Sequence, residues 1–203
     1  TNTYDTEGET TKTSEKKVAL EDIENILLNF RGDIEQLPPI YSAIKVKGKK
    51  LYEFARKGES AEIPKRKIII YDIKILSFDL PYVTFEISCS KGTYIRSFAY
   101  DLGEKLKTGA YISELQRTKA GKFDIKNSQN LEDNLKSIQA LDVLPFETYE
   151  LTDDEYEKIK NGISIISKIP QKDKFLSLIY NKRIVSISKI SDNIIKVEKN
   201  LKG

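Results

Sequence analysis

The 203-residue sequence contains no histidine, no methionine and a single cysteine. Each absence removes a class of chemistry. Without histidine, Ser–His–Asp and Cys–His nucleophile systems cannot be assembled from this chain. A zinc centre needs several Cys or His ligands, and Cys89 is the one such residue, so no metal is expected. Acid–base work must fall to Asp, Glu, Lys, Tyr or a water held by Arg. One cysteine cannot form an internal disulfide, which fits a reducing, cytoplasmic compartment. No apolar run approaches the roughly 18 residues a bilayer span requires, and the N-terminus is polar, so neither a membrane helix nor a signal peptide is expected. A start at Thr1 with no methionine anywhere is what a fragment or a processed product would show.

What is present is a globular composition, 39% hydrophobic and 32% charged, with an uneven distribution of its net charge of +3. Residues 1–44 carry 4 basic and 9 acidic side chains, net −5. Residues 45–67 carry 9 basic and 3 acidic, net +6, the kind of block that meets phosphates or simply forms a solvated loop. That block lies in GDIEQLPPIYSAIKVKGKKLYEFARKGESAEIPKRK, a long excursion broken by Pro38-Pro39 and punctuated by Gly48 and Gly58, with a short helix expected at Leu51–Arg56. It alternates Tyr41 and Tyr52 with Lys45, Lys47, Lys49, Lys50, Arg56 and Lys57. Aromatic faces interleaved with cations suit a surface that stacks on bases while neutralising the phosphates of RNA.

Elsewhere the pattern alternates between helix and strand. VALEDIENILLNF spaces Ile23, Leu27 and Phe30 as one face of a helix, with Gly32 as its stop. KIIIYDIKILSFD reads as a strand whose face shifts between Ile70 and Tyr71, a bulge signal, and YVTFEISCS as its hairpin partner. From Tyr94 the period becomes helical, through Ile95, Phe98, Ala99, Leu102 and Leu106. AYISELQRTKAGKFD is expected to form a strand and LEDNLKSIQAL a short helix. After Pro145, ELTDDEYEKIKNG carries a capping box, Thr152 and Glu155, with Gly162 as the stop. Strands are expected near 163–166, 175–180, 183–190 and 194–199, with Asn181-Lys182 as a hairpin turn. Residues 149–203 thus read as a small, basic β-rich module, with completion of the first domain's sheet as the alternative.

The stretch SCSKGTYIRSFAYDLGEKL leaves three readings open: a cysteine nucleophile, a phosphate grip, or half of a site completed elsewhere. Cys89 falls on the apolar face of its strand in register with Phe85 and Ile87 and has no histidine to activate it, which favours a buried structural thiol. Lys91-Gly92-Thr93 at a strand-to-helix junction lacks the two spaced glycines of a phosphate loop. Arg96, near a helix N-terminus, opposes the helix dipole, which leaves two readings open: a specific carboxylate or phosphate partner, or an ordinary solvated arginine.

The run CSKGTYIRSFAYDLGEKL, the upstream RGDIEQLPPIYSAIKVKGKKLYEFARKGE, the opening TNTYDTEGE and the later ISELQRTKAGKF resemble, in this order, bacterial TruB tRNA pseudouridine synthases. The resemblance is strong over about residues 1–148 and weak over 149–203. It implies an α+β fold, with a mixed or antiparallel sheet and flanking helices over 1–148 and a PUA-like β-barrel over 149–203. It implies a tRNA-gripping thumb loop at about 33–66 and isomerisation of a flipped-out T-loop uridine, position 55, to pseudouridine without a cofactor. The partner implied is tRNA, through its T arm and acceptor end, bound by a protein that is monomeric at full length.

By the resemblance, Arg96 pairs with the catalytic aspartate, Tyr94 lies beside the target base and Leu115 walls the pocket. Arg117, Asp5 and the thumb residues Tyr41, Lys45, Lys49, Lys50, Tyr52 and Arg56 contact RNA. The family's Gly-Thr-Leu-Asp-Pro type motif, which carries the essential aspartate ahead of the TxTxDxxG segment, is not in this sequence, where that segment is Thr1–Gly8. The chain is therefore expected to be inactive alone. The alternative that stays open is a non-catalytic RNA-binding or tRNA-chaperone module.

Overall fold

The computed structural model describes residues 1–46, 48–56, 58, 62–133, 135–168 and 173–201. They divide into two compact units, Thr1–Gln116 and Arg117–Gly203. The expected boundary at 148/149 falls inside the second.

In the first unit the apolar stripe of the N-terminal segment forms α1 (Leu20–Leu27) and a 3-10 turn, Leu28–Phe30. Gly32, at φ +87°, does not simply end the helix but opens β1 (Gly32–Gln36). β2 (Lys45–Val46) and β3 (Lys49–Lys50) make a small hairpin leading into α2 (Leu51–Arg56), where the short helix was expected. β4 (Arg66–Asp79) and β5 (Tyr82–Cys89) are the long antiparallel hairpin, and the register slips between Ile70 and Asp72, where the alternation of the sequence changes face. β4 is central in a three-stranded antiparallel sheet of order β1-β4-β5. α3 (Ile95–Leu106) follows.

One core joins these elements: Ile23, Leu27 and Phe30; Ile68, Ile70 and Ile73 of β4; Phe98, Leu102 and Leu106 of α3. Phe98, 2% exposed, is its hub, edge-on to Phe30 at 5.0 Å and to Phe85 at 5.7 Å. Burial of such a ring contributes roughly 2–3 kcal/mol. Cys89 packs against this core but is half-buried, not buried, because β5 is an edge strand.

The second unit begins with a two-residue ladder, β6 (Lys119–Ala120) with β7 (Phe123–Asp124). The strand expected over AYISELQRTKAGKFD is not formed beyond this. A strand needs a neighbour to take its backbone hydrogen bonds, and the Gly121 turn supplies one for two residues only. Among the described residues, the helix expected over LEDNLKSIQAL is present only at its end, in α4 (Ala140–Val143). Leu131, Leu135 and Ile138 are exposed, and an isolated short helix without a buried face is not stable in water.

Beyond Pro145 the expectations hold closely. β8 (Glu147–Glu150) is followed by α5 (Asp153–Lys160), whose start is fixed by the reciprocal Thr152–Glu155 capping box. β9 (Ile165–Ile166), β10 (Lys174–Tyr180), β11 (Arg183–Ser191) and β12 (Ile194–Asn200) complete a five-stranded sheet of order β8-β10-β11-β12-β9, with β8 parallel to β10 and the other pairs antiparallel. Asn181 and Lys182, at φ +49° and +62°, make the β10–β11 turn. Leu176, Leu178, Ile190 and Ile195 are fully buried in this unit's core with Ile159 of α5. The fold class is α+β.

Candidate functional site

The first unit brings several of the residues expected at the site together at the N-terminal end of α3. Tyr94, in extended conformation, is the N-cap and offers no side-chain cap. Its backbone is instead clasped by Gln36 at the end of β1, a glutamine only 2% exposed. The Tyr94 amide donates to Gln36 Oε1 at 2.8 Å, and Gln36 Nε2 donates to the Tyr94 carbonyl at 3.0 Å. One turn on, Ser97 Oγ donates to the Leu37 carbonyl at 2.7 Å. The buried Pro38-Pro39 pair then carries the chain past the helix end toward Tyr41.

Arg96 lies between these anchors and resolves its unfavourable place on the helix dipole with two partners. Its Nη1 donates to Asp5 Oδ2 at 3.1 Å and its Nη2 to the Tyr41 carbonyl at 3.0 Å. A single guanidinium thereby ties α3 to the N-terminal loop and to the base of the basic excursion. The Arg96 and Asp5 side chains are 28% and 26% exposed, so the pair is partly shielded from water.

The N-terminal loop is built to hold Asp5. Asp5 Oδ1 accepts from Thr3 Oγ1 and from the Glu7 amide, each at 3.0 Å, and Thr1 Oγ1 donates to the Asp5 carbonyl at 2.8 Å. Desolvation pushes the Asp5 carboxyl up. The hydrogen bonds from Thr3, Glu7 and Arg96, with the Arg96 charge, outweigh this and hold it below its ordinary value. Gly8 closes the loop, since a Cβ there would stand 2.1 Å from Thr3 Oγ1 and 2.9 Å from the Thr3 amide. The loop is fastened to the body by the Tyr4–Tyr100 stack at 4.1 Å, by the Ile112 amide donating to the Tyr4 carbonyl at 3.0 Å, and by a parallel bridge between Asp5 and Ile112. Beside this stack the Asp101 carboxyl is pushed up, first by burial and further by Glu104, against the opposing charge of Lys105.

The basic excursion has its own anchors. The Leu51 amide donates to the Ile44 carbonyl at 2.8 Å and the Tyr52 amide to the Ser42 carbonyl at 3.2 Å, with Leu51 fully buried. Lys45, Lys49 and Arg56 are exposed and Tyr52 is half-buried; Lys49 Nζ lies 6.0 Å from the centre of the Phe54 ring. Lys47 and Lys57 lie outside the described residues.

Of the residues expected at the site, Arg96, Asp5 and Tyr41 converge directly, Tyr94 adjoins them along the chain, and Lys50, Tyr52 and Arg56 cluster on the excursion. Leu115 is 64% exposed; Arg117 is exposed and belongs to the second unit. Sequence reasoning missed Gln36 and Ser97, whose polar side chains are buried to stitch the site together. The one available signal was a glutamine standing directly before the Leu-Pro-Pro break. It also missed Ser42 Oγ and Thr93 Oγ1, two buried hydroxyls without partners that flank Tyr41 and Tyr94 in sequence. Among the described residues no group of three potential metal ligands comes together, and no helix is long and apolar enough to cross a membrane.

The sequence matches the TruB family pseudouridylate synthase N-terminal domain over residues 1–95 and the tRNA pseudouridylate synthase B C-terminal domain over 96–148. It is 46% identical over 200 residues to tRNA pseudouridine synthase B of Clostridium tetani, covering 88% of this chain and 69% of that protein. To the protein of the same name from Clostridium novyi it is 53% identical over 131 residues, 64% of this chain and 45% of the relative. With that of Clostridium acetobutylicum it shares 37% identity over 215 residues, 98% of this chain and 73% of the relative. The chain thus spans between 45% and 73% of the length of these three relatives. In structure it is similar to a chain of a Cbf5–Nop10–Gar1 complex, with a TM-score of 0.64 at 21% identity over 93% of this chain and 64% of that one, a likeness of fold. With the arginine of CSKGTYIRSF drawn into one cluster with the TxTxDxxG aspartate and the excursion after Pro39, and with both family domains matched in order, this chain belongs to the TruB family of tRNA pseudouridine synthases.

Proposed function

We propose that this chain supplies the arginine side of a site that isomerises a T-loop uridine of tRNA to pseudouridine, together with the surface that grips the T arm. In that reaction the N1–C1′ bond breaks, the uracil turns, C5 bonds to C1′, C5 loses its proton and N1 gains one. Substrate and product are isomers, so no co-substrate is consumed. The observation that carries the reading is Arg96, fixed at the start of α3 by Gln36 and Ser97 and projecting a half-shielded guanidinium toward a carboxylate.

Asp5 is not the catalytic carboxylate in this reading. Its Oδ1 already accepts two hydrogen bonds and its Oδ2 accepts from Arg96, which leaves a committed structural anion and a poor group for attack on C1′. Arg96, oriented by Asp5 and the Tyr41 carbonyl, would hold a second carboxylate ionised and aimed at the flipped nucleotide. Tyr94 would lie against the extruded base and Leu115 would wall its pocket. Tyr41, Lys45, Lys49, Lys50, Tyr52, Arg56 and Arg117 would meet the RNA, and the C-terminal sheet, as a PUA-like module, the acceptor end. The setting is the cytoplasm, where tRNA is processed.

Tritium release from T-arm RNA labelled at uracil C5 tests the reading. The 203-residue chain alone is expected to release none, since the sequence lacks the Gly-Thr-Leu-Asp-Pro type motif; turnover by this chain would overturn the assignment of its carboxylates.

A further inference from the structure

Tyr52 stands at the centre of the basic excursion, and two cations converge on its side chain. Lys50 Nζ donates to Tyr52 Oη at 3.2 Å and lies 5.3 Å from the centre of the same ring. The Arg56 guanidinium carbon lies 5.4 Å from that centre. Arg56 follows Tyr52 by four residues on α2, the spacing that sets one helical side chain over another. The backbone that carries the ring is anchored, because the Tyr52 amide donates to the Ser42 carbonyl and the preceding Leu51 is fully buried.

We propose that Tyr52 is a positioning residue that gathers Lys50 and Arg56 into one dicationic grip on an RNA backbone phosphate, and that it does not stack on a base. This rests on the reading that the excursion takes tRNA. Lys50 stands at the hydroxyl end of the ring and Arg56 lies over it, so two cations converge on one side chain. Holding two like charges near one ring costs repulsion in the free protein. The ring quadrupole offsets it, and an arriving phosphodiester relieves it. The cluster is therefore pre-organised for an anion. Since phosphate contacts fix register and carry no sequence information, it would set where the stem lies while the Arg96 end meets the nucleotide.

The test uses the full chain and a fluorescein-labelled T-arm hairpin, with affinity read by anisotropy across a KCl series. Tyr52→Phe keeps the ring that Arg56 lies over but removes the hydroxyl that Lys50 binds, and is expected to weaken binding about twofold to fourfold, less than loss of the whole ring. Tyr52→Leu is expected to weaken binding roughly fivefold to tenfold and to flatten the dependence of log K on log salt by about one phosphate's worth, roughly 0.7–0.9. In a Lys50→Ala/Arg56→Ala background the same Leu substitution should cost less than about twofold. An unchanged salt slope with an undiminished loss in that background would mean base stacking and would overturn the proposal, as would a Tyr52→Leu chain that binds like the original. A second readout needs no substitution. In the RNA-free chain the Arg56 δ protons should be shifted upfield by the Tyr52 ring current and stay so when RNA is added. Loss of those shifts on RNA addition would also overturn it. If the unsubstituted chain does not prefer the T-arm hairpin over an unrelated one, the functional reading fails, and the ring-current shifts of the free chain still report on the cluster.

Discussion

At the scale of single residues, Arg96 shows how an unfavourable local placement is offset. A cation in the first turn of a helix opposes the dipole at a cost of about 0.3–1 kcal/mol. Two charge-assisted hydrogen bonds, to Asp5 and to the Tyr41 carbonyl, more than repay it. Replacing Arg96 by Gln should therefore destabilise the chain by roughly 1–2 kcal/mol in a denaturant titration. The pH dependence carries a sign that can be checked. The Asp5 carboxyl is held below its ordinary value of 3.8 in the folded state. Its contribution is fully present above that value and is lost as pH falls through the lowered one. Acid unfolding of Arg96→Gln, followed by circular dichroism, should show a shallower loss below the ordinary carboxylate value than the original chain. An identical acid limb in both would remove Arg96 from the causes of that shift.

At the scale of elements, the site depends on a close approach that no motif announces. Gly103, buried on α3, faces the returning chain so tightly that a Cβ would stand 2.2 Å from the Ala110 amide nitrogen and 2.3 Å from the Gly109 carbonyl carbon. That return is what brings Ile112 beside Tyr4 and Asp5. Gly103→Ala should cost about 1–3 kcal/mol in thermal or chemical unfolding, because backbone and not a flexible side chain must give way. It should also loosen the N-terminal loop, read as faster hydrogen exchange at the Ile112 amide. Unchanged stability would mean that the turn relaxes freely. The strongly periodic elements, α1, α3, β4, β5 and the strands after Pro145, were legible because each buries one regular face. The segment between Leu115 and Ala140 was not. Its apolar residues suggest strand and helix, yet Leu131, Leu135 and Ile138 are exposed and neither element forms beyond short pieces. Pattern predicts structure only where a surface exists to bury the pattern.

At the scale of the whole molecule, the sequence pointed to Arg96, the TxTxDxxG loop and the basic excursion as separate features. That one guanidinium joins all three could not be read from it. The link runs between residues 55 and 91 positions apart and ends in part on a backbone carbonyl, which has no sequence signature. Gln36 and Ser97 were hidden for the same reason: buried polar side chains that serve backbone groups look like any others in the sequence. What results is an arginine, an aspartate loop and the base of the basic excursion tied together by polar contacts from β1, α3 and the N-terminal loop, the arrangement on which the proposed site rests. The most direct measurement of that account is the affinity of the 203-residue chain for a T-arm hairpin against an unrelated hairpin of equal length and charge, at one fixed salt concentration. The account predicts at least roughly tenfold tighter binding to the T arm, with both affinities falling steeply as salt rises. Equal affinity for the two hairpins would contradict it.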